Sequence, residues 1–378
     1  MPKIMCVVGA RPNFMKIAPI MKALKRNSSL VSTMLVHTGQ HYDIAMNQRF
    51  FEQLEIPKPD VNLEVGSSSH AVQTAEIMRK FEPVLDHTQP AAILVVGDVN
   101  STIACALVAS KKQVAVIHVE AGLRSFDRTM PEEINRVLTD QISDLLFTTE
   151  RNAQHNLVRE GIDEGRIVFV GNVMIDTLCA SLEKAVPARE TVAAAARDPA
   201  LFLNSSNGFG LLTLHRPANV DDGAILIRLL TVLREISDAL PLIFPVHPRT
   251  DSAIEKHGLR DVLNTPRILV LPPQGYLELL GLMAKTRLVL TDSGGIQEET
   301  TALGIPCITL RESTERPITV DEGTNTIVGS DPERIRLVFR EILETGGKAG
   351  HIPVFWDGHA AERIVDHILV WLRCSERM

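Results

Sequence analysis

The sequence predicts an α/β protein of two doubly wound units, each a parallel sheet with helices on both faces. Three observations predict it. Short runs rich in Val, Ile and Leu recur along the whole chain. Each run is apolar at successive rather than alternate positions, as in strands covered on both faces. Stretches with helical spacing separate the runs, and 378 residues suit two domains at roughly 150 residues each.

In order, the first-half strands are expected at Lys3–Val8, Thr33–His37, Ala91–Gly97, Val114–Glu120, Leu145–Thr149 and Ile167–Gly171. The pattern then pauses over Glu183–Asn207, which places a domain boundary after Gly171-Asn172. It resumes with Gly210–His215, Leu242–His247, Ile268–Pro272, Leu288–Asp292, Pro306–Leu310 and Thr326–Gly329. Ala360–Arg373 reads as an amphipathic helix, with Ile364, Val365, Ile368, Leu369 and Leu372 at helical spacing. Periodicity does not say which domain this helix packs on.

Lys+Arg 39 against Asp+Glu 46 leave a net charge of −7, without the basic excess or stripe that nucleic acid requires. No apolar run approaches the ~18 residues of a membrane span, and the first residues read as a strand rather than a signal peptide. The five cysteines (Cys6, Cys105, Cys179, Cys307, Cys374) are scattered and odd in number, and none form C-x-x-C. Neither a disulfide framework nor a metal site is expected, and the chain reads as a reduced, cytoplasmic protein.

Ligands of doubly wound sheets sit beyond the carboxyl ends of the strands, so the polar residues that end each run are the candidates. Ser293-Gly294-Gly295 ends a strand and opens a helix that stops at Gly304. Glycines admit a close ligand and a helix N-terminus offers unpaired N–H groups, together a phosphate cradle. A plain N-cap and turn would read the same way. Glu299 in the first turns of that helix could accept hydrogen bonds from two ribose hydroxyls; otherwise it complements the helix dipole. Gly9–Lys16 is a second strand-to-helix turn carrying Arg11 and Lys16; it matches neither Walker A nor G-x-G-x-x-G, so neither an NTPase nor a dinucleotide oxidoreductase is supported. Arg311 and Arg316 follow a later strand, and either could clamp a diphosphate. The chain has no D-x-D, which leaves cations and backbone rather than a metal to neutralise one.

Asp98 and Glu120 each end an apolar strand beside glycines. In Pro131–Arg136, a helix start, Ile134, Val137, Leu138 and Ile142 predict the buried face and leave Glu132 and Arg136 together on another side. Several carboxylates opposite a phosphate cradle suit acid–base chemistry on a weakly acidic substrate such as a sugar. His37, His41 and His118 could join such a site or be ordinary strand-end histidines.

Eight ordered stretches, Gly9–Lys16, His37–Asp43, Gly97–Thr102, His118–Ser125, Pro131–Arg136, Thr213–Val220, Asp292–Glu299 and Thr314–Pro317, resemble the non-hydrolysing UDP-N-acetylglucosamine 2-epimerases over essentially the full length. The resemblance implies a GT-B fold. Its two Rossmann-like domains would comprise residues 1–172, completed by the C-terminal helix 360–378, and residues 173–359, with an interdomain cleft. It implies a homodimer without cofactor, interconverting UDP-GlcNAc and UDP-ManNAc for polysaccharide biosynthesis. Carried over by position, Asp98, Glu120 and Glu132 are the catalytic acids and His215 supports the leaving UDP. Ser293, Gly294 and Gly295 bind the diphosphate, Glu299 the ribose, and Arg11, Lys16, His215 and Arg316 the phosphates and sugar. Gln274 and Leu279 fall on the uracil side, and His247 and Arg136 near the substrate.

Many bacterial members take a second UDP-GlcNAc as activator beside residues matching Gln40 and His41. Both are kept here, but Tyr42-Asp43 and the loop Gly66–His70 lack the cation expected there. The same motifs also suit a modified UDP-sugar such as a diacetamido-glucuronate. A hydrolysing 2-epimerase or a GT-B glycosyltransferase would lack the full acid set or the His215 motif, and a non-catalytic nucleotide-sugar sensor would have no use for the acids.

Overall fold

Apolar strands assemble two parallel sheets in the computed structural model, which describes residues 1–39, 51–205 and 207–375. The chain divides into unit 1, Met1–Ala180 with Val354–Met378, and unit 2, Ser181–Pro353.

Unit 1 holds β1 (Lys3–Val8), β2 (Ser32–His37), β3 (Val61–Asn62), β4 (Ala92–Val96), β5 (Ala115–Ala121), β6 (Leu145–Thr148) and β7 (Ile167–Phe169) in the order β3-β2-β1-β4-β5-β6-β7. Every pairing is parallel. Strand order reverses between β1 and β4, so the loops after these two strands diverge and leave a crevice at their carboxyl ends. The sequence does not predict β3, whose two residues pair with the end of β2 and form no apolar run. One face of the sheet packs Met5, Val7, Ile93, Val95 and Val116 against Ile77, Phe81 and Leu85 of the helix His70–Thr88.

Beyond residue 172, the helix Val173–Leu182 turns a carboxylate toward the C-terminal helix Ala360–Ser375. Asp176 accepts from the backbone N–H of Ala360 at 3.1 Å and of Ala361 at 2.7 Å. Burial raises this carboxyl to about 6, the two amides opposing the rise. Ile364, Val365, Ile368 and Leu372 are buried, so the amphipathic stripe of the C-terminal helix closes unit 1, and Arg26 reaches Glu362 at 2.8 Å.

Unit 2 holds β8 (Gly210–Thr213), β9 (Leu242–Pro245), β10 (Ile268–Leu271), β11 (Leu288–Thr291), β12 (Cys307–Thr309) and β13 (Asn325–Ile327) in the order β10-β9-β8-β11-β12-β13, again all parallel. Its reversal lies between β8 and β11. Leu212, Phe244, Leu288, Leu290 and Ile308 pack with Leu226, Leu230 and Leu233 of the helix Gly223–Ser237. The fold is thus α/β with two Rossmann-like sheets. No helix among the described residues is long and apolar enough to cross a membrane. Cys6 and Cys307 are fully buried, and burial pushes their thiols up to about 12 and 11.

At pH 7.5, where Asp176 is ionised, Asp176→Ala is expected to cost about 1–2 kcal/mol by loss of a helix cap, read as a lower urea midpoint with unchanged slope.

Candidate active site

β5 ends in a bulge. Val119 pairs with Phe147 and Ala121 with Thr148, so Glu120 is the extra residue, and its φ of 71° lies in the left-handed region. Holding such a residue there costs about 1–3 kcal/mol, and bulges beside active sites re-aim side chains. Glu120 meets Lys16, whose Nζ lies 2.8 Å from Oε1 and 2.7 Å from Oε2, both side chains nearly fully buried. Lys16 comes from the helix Arg11–Arg26 that follows β1. A Cβ on Gly97, after β4, would stand 2.7 Å from Lys16 Nζ, so glycine there makes room for the ammonium. Asn13 pins the same turn, donating to Val96 O at 2.7 Å and accepting from Ala10 N–H at 3.2 Å.

Asp98 stands next to Gly97. Arg136 Nε donates to its Oδ2 at 2.9 Å, and Asn135 Nδ2 to its backbone oxygen at 2.9 Å. Both donors belong to the helix Pro131–Ile142, which buries Glu133, Asn135, Arg136, Thr139 and Asp140 while Leu138 is half exposed. This corrects the apolar face expected from periodicity: the polar side is buried because each of its charged groups has a partner there. Arg136 pairs with Asp98 and Glu133 rather than with Glu132. Glu132 is half-buried in the first turn of this helix.

Beneath Gly97, His118 is fully buried, with Nδ1 2.7 Å from Asp140 Oδ1 and Nε2 2.9 Å from Gly97 O. Asp140 also takes Arg124 at 2.7 Å and Gly122 N–H at 3.1 Å. His118 therefore braces the loop that presents Asp98. His37 lies against Phe14 with Nδ1 3.3 Å from Asn62, and burial lowers its pKa.

In unit 2 the reversal joins His215, after β8, to Asp292, after β11. His215 Nδ1 is 2.9 Å from Asp292 Oδ1, and the backbone N–H groups of His215 and Arg216 and the Asn219 amide all donate to the same carboxylate. Burial alone would raise Asp292, but these donors outweigh it and hold the carboxyl below its usual range. Asp292 thereby fixes the His215 ring, whose side chain is still 35% exposed and so open to a ligand.

Ser293 occupies the N-cap position of the helix Gly294–Leu303, yet its hydroxyl caps no N–H of that helix. The helix's first N–H groups are therefore not taken by that hydroxyl, so a ligand could accept from them. A Cβ on Gly294 would stand 2.6 Å from Arg316 NH1 and 2.8 Å from Glu315 Oε1; glycine is what lets these charges approach the helix start. Arg316 is buried against Glu298 at 2.9 Å and Glu315 at 2.6 Å, and Arg311 meets Glu315 at 2.8 Å. Glu299 is buried and accepts from Tyr276 Oη at 2.8 Å. Burial, reinforced by Glu298, pushes it up to about 8 against the Tyr276 bond.

Of the remaining predicted residues, Gln274 is half-buried and donates to Pro272 O at 2.7 Å, and Leu279 lies on the helix Tyr276–Met283, where Tyr276 also sits. Gly295 falls in the first turn of the cradle helix. His247 is exposed, its ring centroid 5.6 Å from that of His215. Gln40, His41 and the Arg11 side chain lie outside the described residues. Asp292, Glu133, Tyr276 and Glu315, which carry no site role by motif, are each partners of a predicted residue. Acids at fixed offsets from His215 and Arg316 were visible, but the pairings were not. Among the described residues no three His, Cys, Asp or Glu gather as a metal site would require.

A sequence profile described as UDP-N-acetylglucosamine 2-epimerase matches residues 22–369. The UDP-N-acetylglucosamine 2-epimerase of Methanococcus maripaludis is 41% identical over 369 residues, 97% of this chain and 98% of the relative. This chain belongs to the UDP-N-acetylglucosamine 2-epimerase family. Another family relative, the UDP-2,3-diacetamido-2,3-dideoxy-D-glucuronate 2-epimerase of Pseudomonas aeruginosa, is 40% identical over 373 residues, 97% of this chain and 99% of its own. The crystal structure of the Methanocaldococcus jannaschii UDP-GlcNAc 2-epimerase with UDP-GlcNAc and UDP superposes with a TM-score of 0.88 at 41% identity, covering 98% of this chain and 99% of that one. The two doubly wound sheets of this family member are thus those of a GT-B-like fold.

Lys16→Met removes a buried cation 2.7 Å from Glu120 and is expected to destabilise the protein by about 3–5 kcal/mol, measured by urea unfolding at pH 7.5. Glu299 holds a proton in the folded state that the unfolded chain releases from about 4.5 upward. Its contribution to stability is therefore complete below 4.5 and falls until about 8. Glu299→Gln should gain melting temperature relative to the parent between pH 5 and pH 8, and a constant difference across that range would refute the assignment.

Proposed function

We propose that this chain interconverts UDP-GlcNAc and UDP-ManNAc by elimination and re-addition of UDP, as a non-hydrolysing 2-epimerase. The observation that carries the reading is Glu120, aimed by a bulge and paired with the buried Lys16 close to the loop that bears Asp98. A sensor would need no strained, buried acid of this kind. The names of the relatives and the UDP-GlcNAc bound in the Methanocaldococcus enzyme support the substrate.

The chemistry explains the residue types. The C2 proton of the sugar is not adjacent to a carbonyl, so direct abstraction is unfavourable. Breaking C1–O first, with both bonding electrons leaving on UDP, puts positive charge on the ring and acidifies C2–H. A carboxylate then takes that proton to give 2-acetamidoglucal. Protonation of C2 from the opposite face and return of the UDP oxygen to C1 complete the epimerisation. Asp98, Glu120 and Glu132 divide the proton transfers and the stabilisation of the cationic ring. Lys16 and Arg136 hold Glu120 and Asp98 in place.

On this reading UDP lies in unit 2. The N–H groups after Ser293, with Arg316, take the diphosphate, Glu299 the ribose, and Gln274 and Leu279 flank the uracil. His215, oriented by Asp292, donates to the departing phosphate oxygen. Arg11 adds to the phosphate ligands, His247 stands near the sugar, and exclusion of water keeps the glucal from hydrolysis.

Incubation with UDP-GlcNAc in D2O, followed by NMR, should give UDP-ManNAc with deuterium at C2 of both epimers. Free ManNAc with UDP would assign hydrolysis instead. Turnover only of UDP-2,3-diacetamido-glucuronate would move the substrate to that of the Pseudomonas relative. Asp98→Asn should lose C2 exchange by at least 100-fold, on the order expected for a general acid–base group, while UDP binding by calorimetry is retained.

A further inference from the structure

We propose that Glu133 is a positioning residue that lets Asp98 exchange a proton, by sharing the guanidinium of Arg136. Read from sequence, Glu133 is only an acid in the first turn of a helix. In the structure it is 2% exposed and ties three elements together. It accepts from the Ser125 backbone N–H and hydroxyl, each at 3.0 Å, and from the Phe126 N–H at 2.9 Å, where φ is 59°. Its Oε2 pairs with Arg136 NH1, and Arg136 Nε reaches Asp98 at 2.9 Å.

The charge balance follows from that geometry. A buried carboxylate facing one arginine alone is held ionised, its pKa lowered by about 1–3 units. An acid that must take a proton from C2 and return one is poorly served by such a partner. Here one guanidinium, itself 3% exposed, is divided between two carboxylates, so Glu133 cancels much of the field that Arg136 exerts on Asp98. Other charged groups of the described residues near this loop have partners of their own. Lys16 beside Gly97 is held by Glu120. His118, which bonds Gly97 O, is held by Asp140, itself paired with Arg124. His70 bonds Asn100 two residues on.

The inference takes Asp98 as an acid–base group from the epimerase reading, but its test reads Asp98 directly and needs no substrate. The Asp98 carboxyl carbon, labelled with 13C and identified by its loss in Asp98→Asn, is titrated by NMR in the parent and in Glu133→Gln. Gln removes the charge and keeps a carbonyl oxygen for Ser125, at the place of Oε2, or for Phe126, at the place of Oε1, but not for both. The Asp98 midpoint should fall by about one pH unit or more. It should rise in Arg136→Gln and return near the parent value in the double variant. If Glu133→Gln does not fold, the double variant against Arg136→Gln decides: the Asp98 midpoint should be lower in the double variant, and equal midpoints would overturn the proposal. Midpoints that stay within 0.3 units of the parent, a difference on the order of 0.4 kcal/mol, in every folded variant would overturn the proposal. In a protein that turns over UDP-GlcNAc, the limb of the kcat profile governed by Asp98 should move with the midpoint. Absence of turnover in the parent would fail the epimerase reading and leave the titration result standing by itself.

Discussion

The contact between Lys16 and Glu120 organises unit 1. It closes the start of the chain onto the end of β5: the turn after β1 launches the helix that carries Lys16, and a bulge forces Glu120 out of register to meet it. Two opposite charges taken out of water must satisfy each other closely or destabilise the fold. The features around them follow from that requirement. Gly97 carries no side chain because the ammonium needs the space, Asn13 pins the turn, and His118 fastens the loop from below. A rigid frame is thereby built around an acid whose backbone conformation is itself costly.

The same strand order serves different chemistry in the two units. In unit 1 the reversal gathers Asp98 and Glu120, each held by a basic side chain. In unit 2 it gathers helix N–H groups, arginines and a histidine locked by a buried aspartate. Both sets stand where the topology of a doubly wound sheet leaves room for a ligand. The net charge of −7 thus conceals a local contrast: in unit 1 Asp98 and Glu120 each face a cation, and in unit 2 buried acids hold His215 and Arg316 beside the start of a helix.

The fold class was legible because parallel strands buried on both faces leave continuous apolar runs, and twelve of the thirteen strands in the described chain came from such runs. β3 was not legible, since two residues carry no pattern. The helix Pro131–Ile142 misled for the opposite reason. Its apolar residues are well spaced, but ion pairs from Arg136 to Asp98 and from Asp140 to Arg124 drew its polar side inward. Periodicity measures only the hydrophobic contribution, and here partner charges on distant loops outweighed it. The candidate site residues were visible as polar residues ending strands, whereas their partners were not. Nothing local in the sequence says that Asp292 will lock His215 or that Glu133 will share Arg136.

The roles proposed for these residues depend on one event: the C1–O bond breaks and re-forms during epimerisation. UDP-GlcNAc carrying 18O in the oxygen between C1 and the β-phosphorus tests that cleavage directly, since 31P NMR distinguishes a bridging from a non-bridging label. Cleavage and return should spread the label into the non-bridging β-phosphate positions of both epimers, because the freed phosphate can rotate before it re-adds. Formation of UDP-ManNAc with the label wholly retained in the bridge would contradict the elimination mechanism and the duties assigned to its acids.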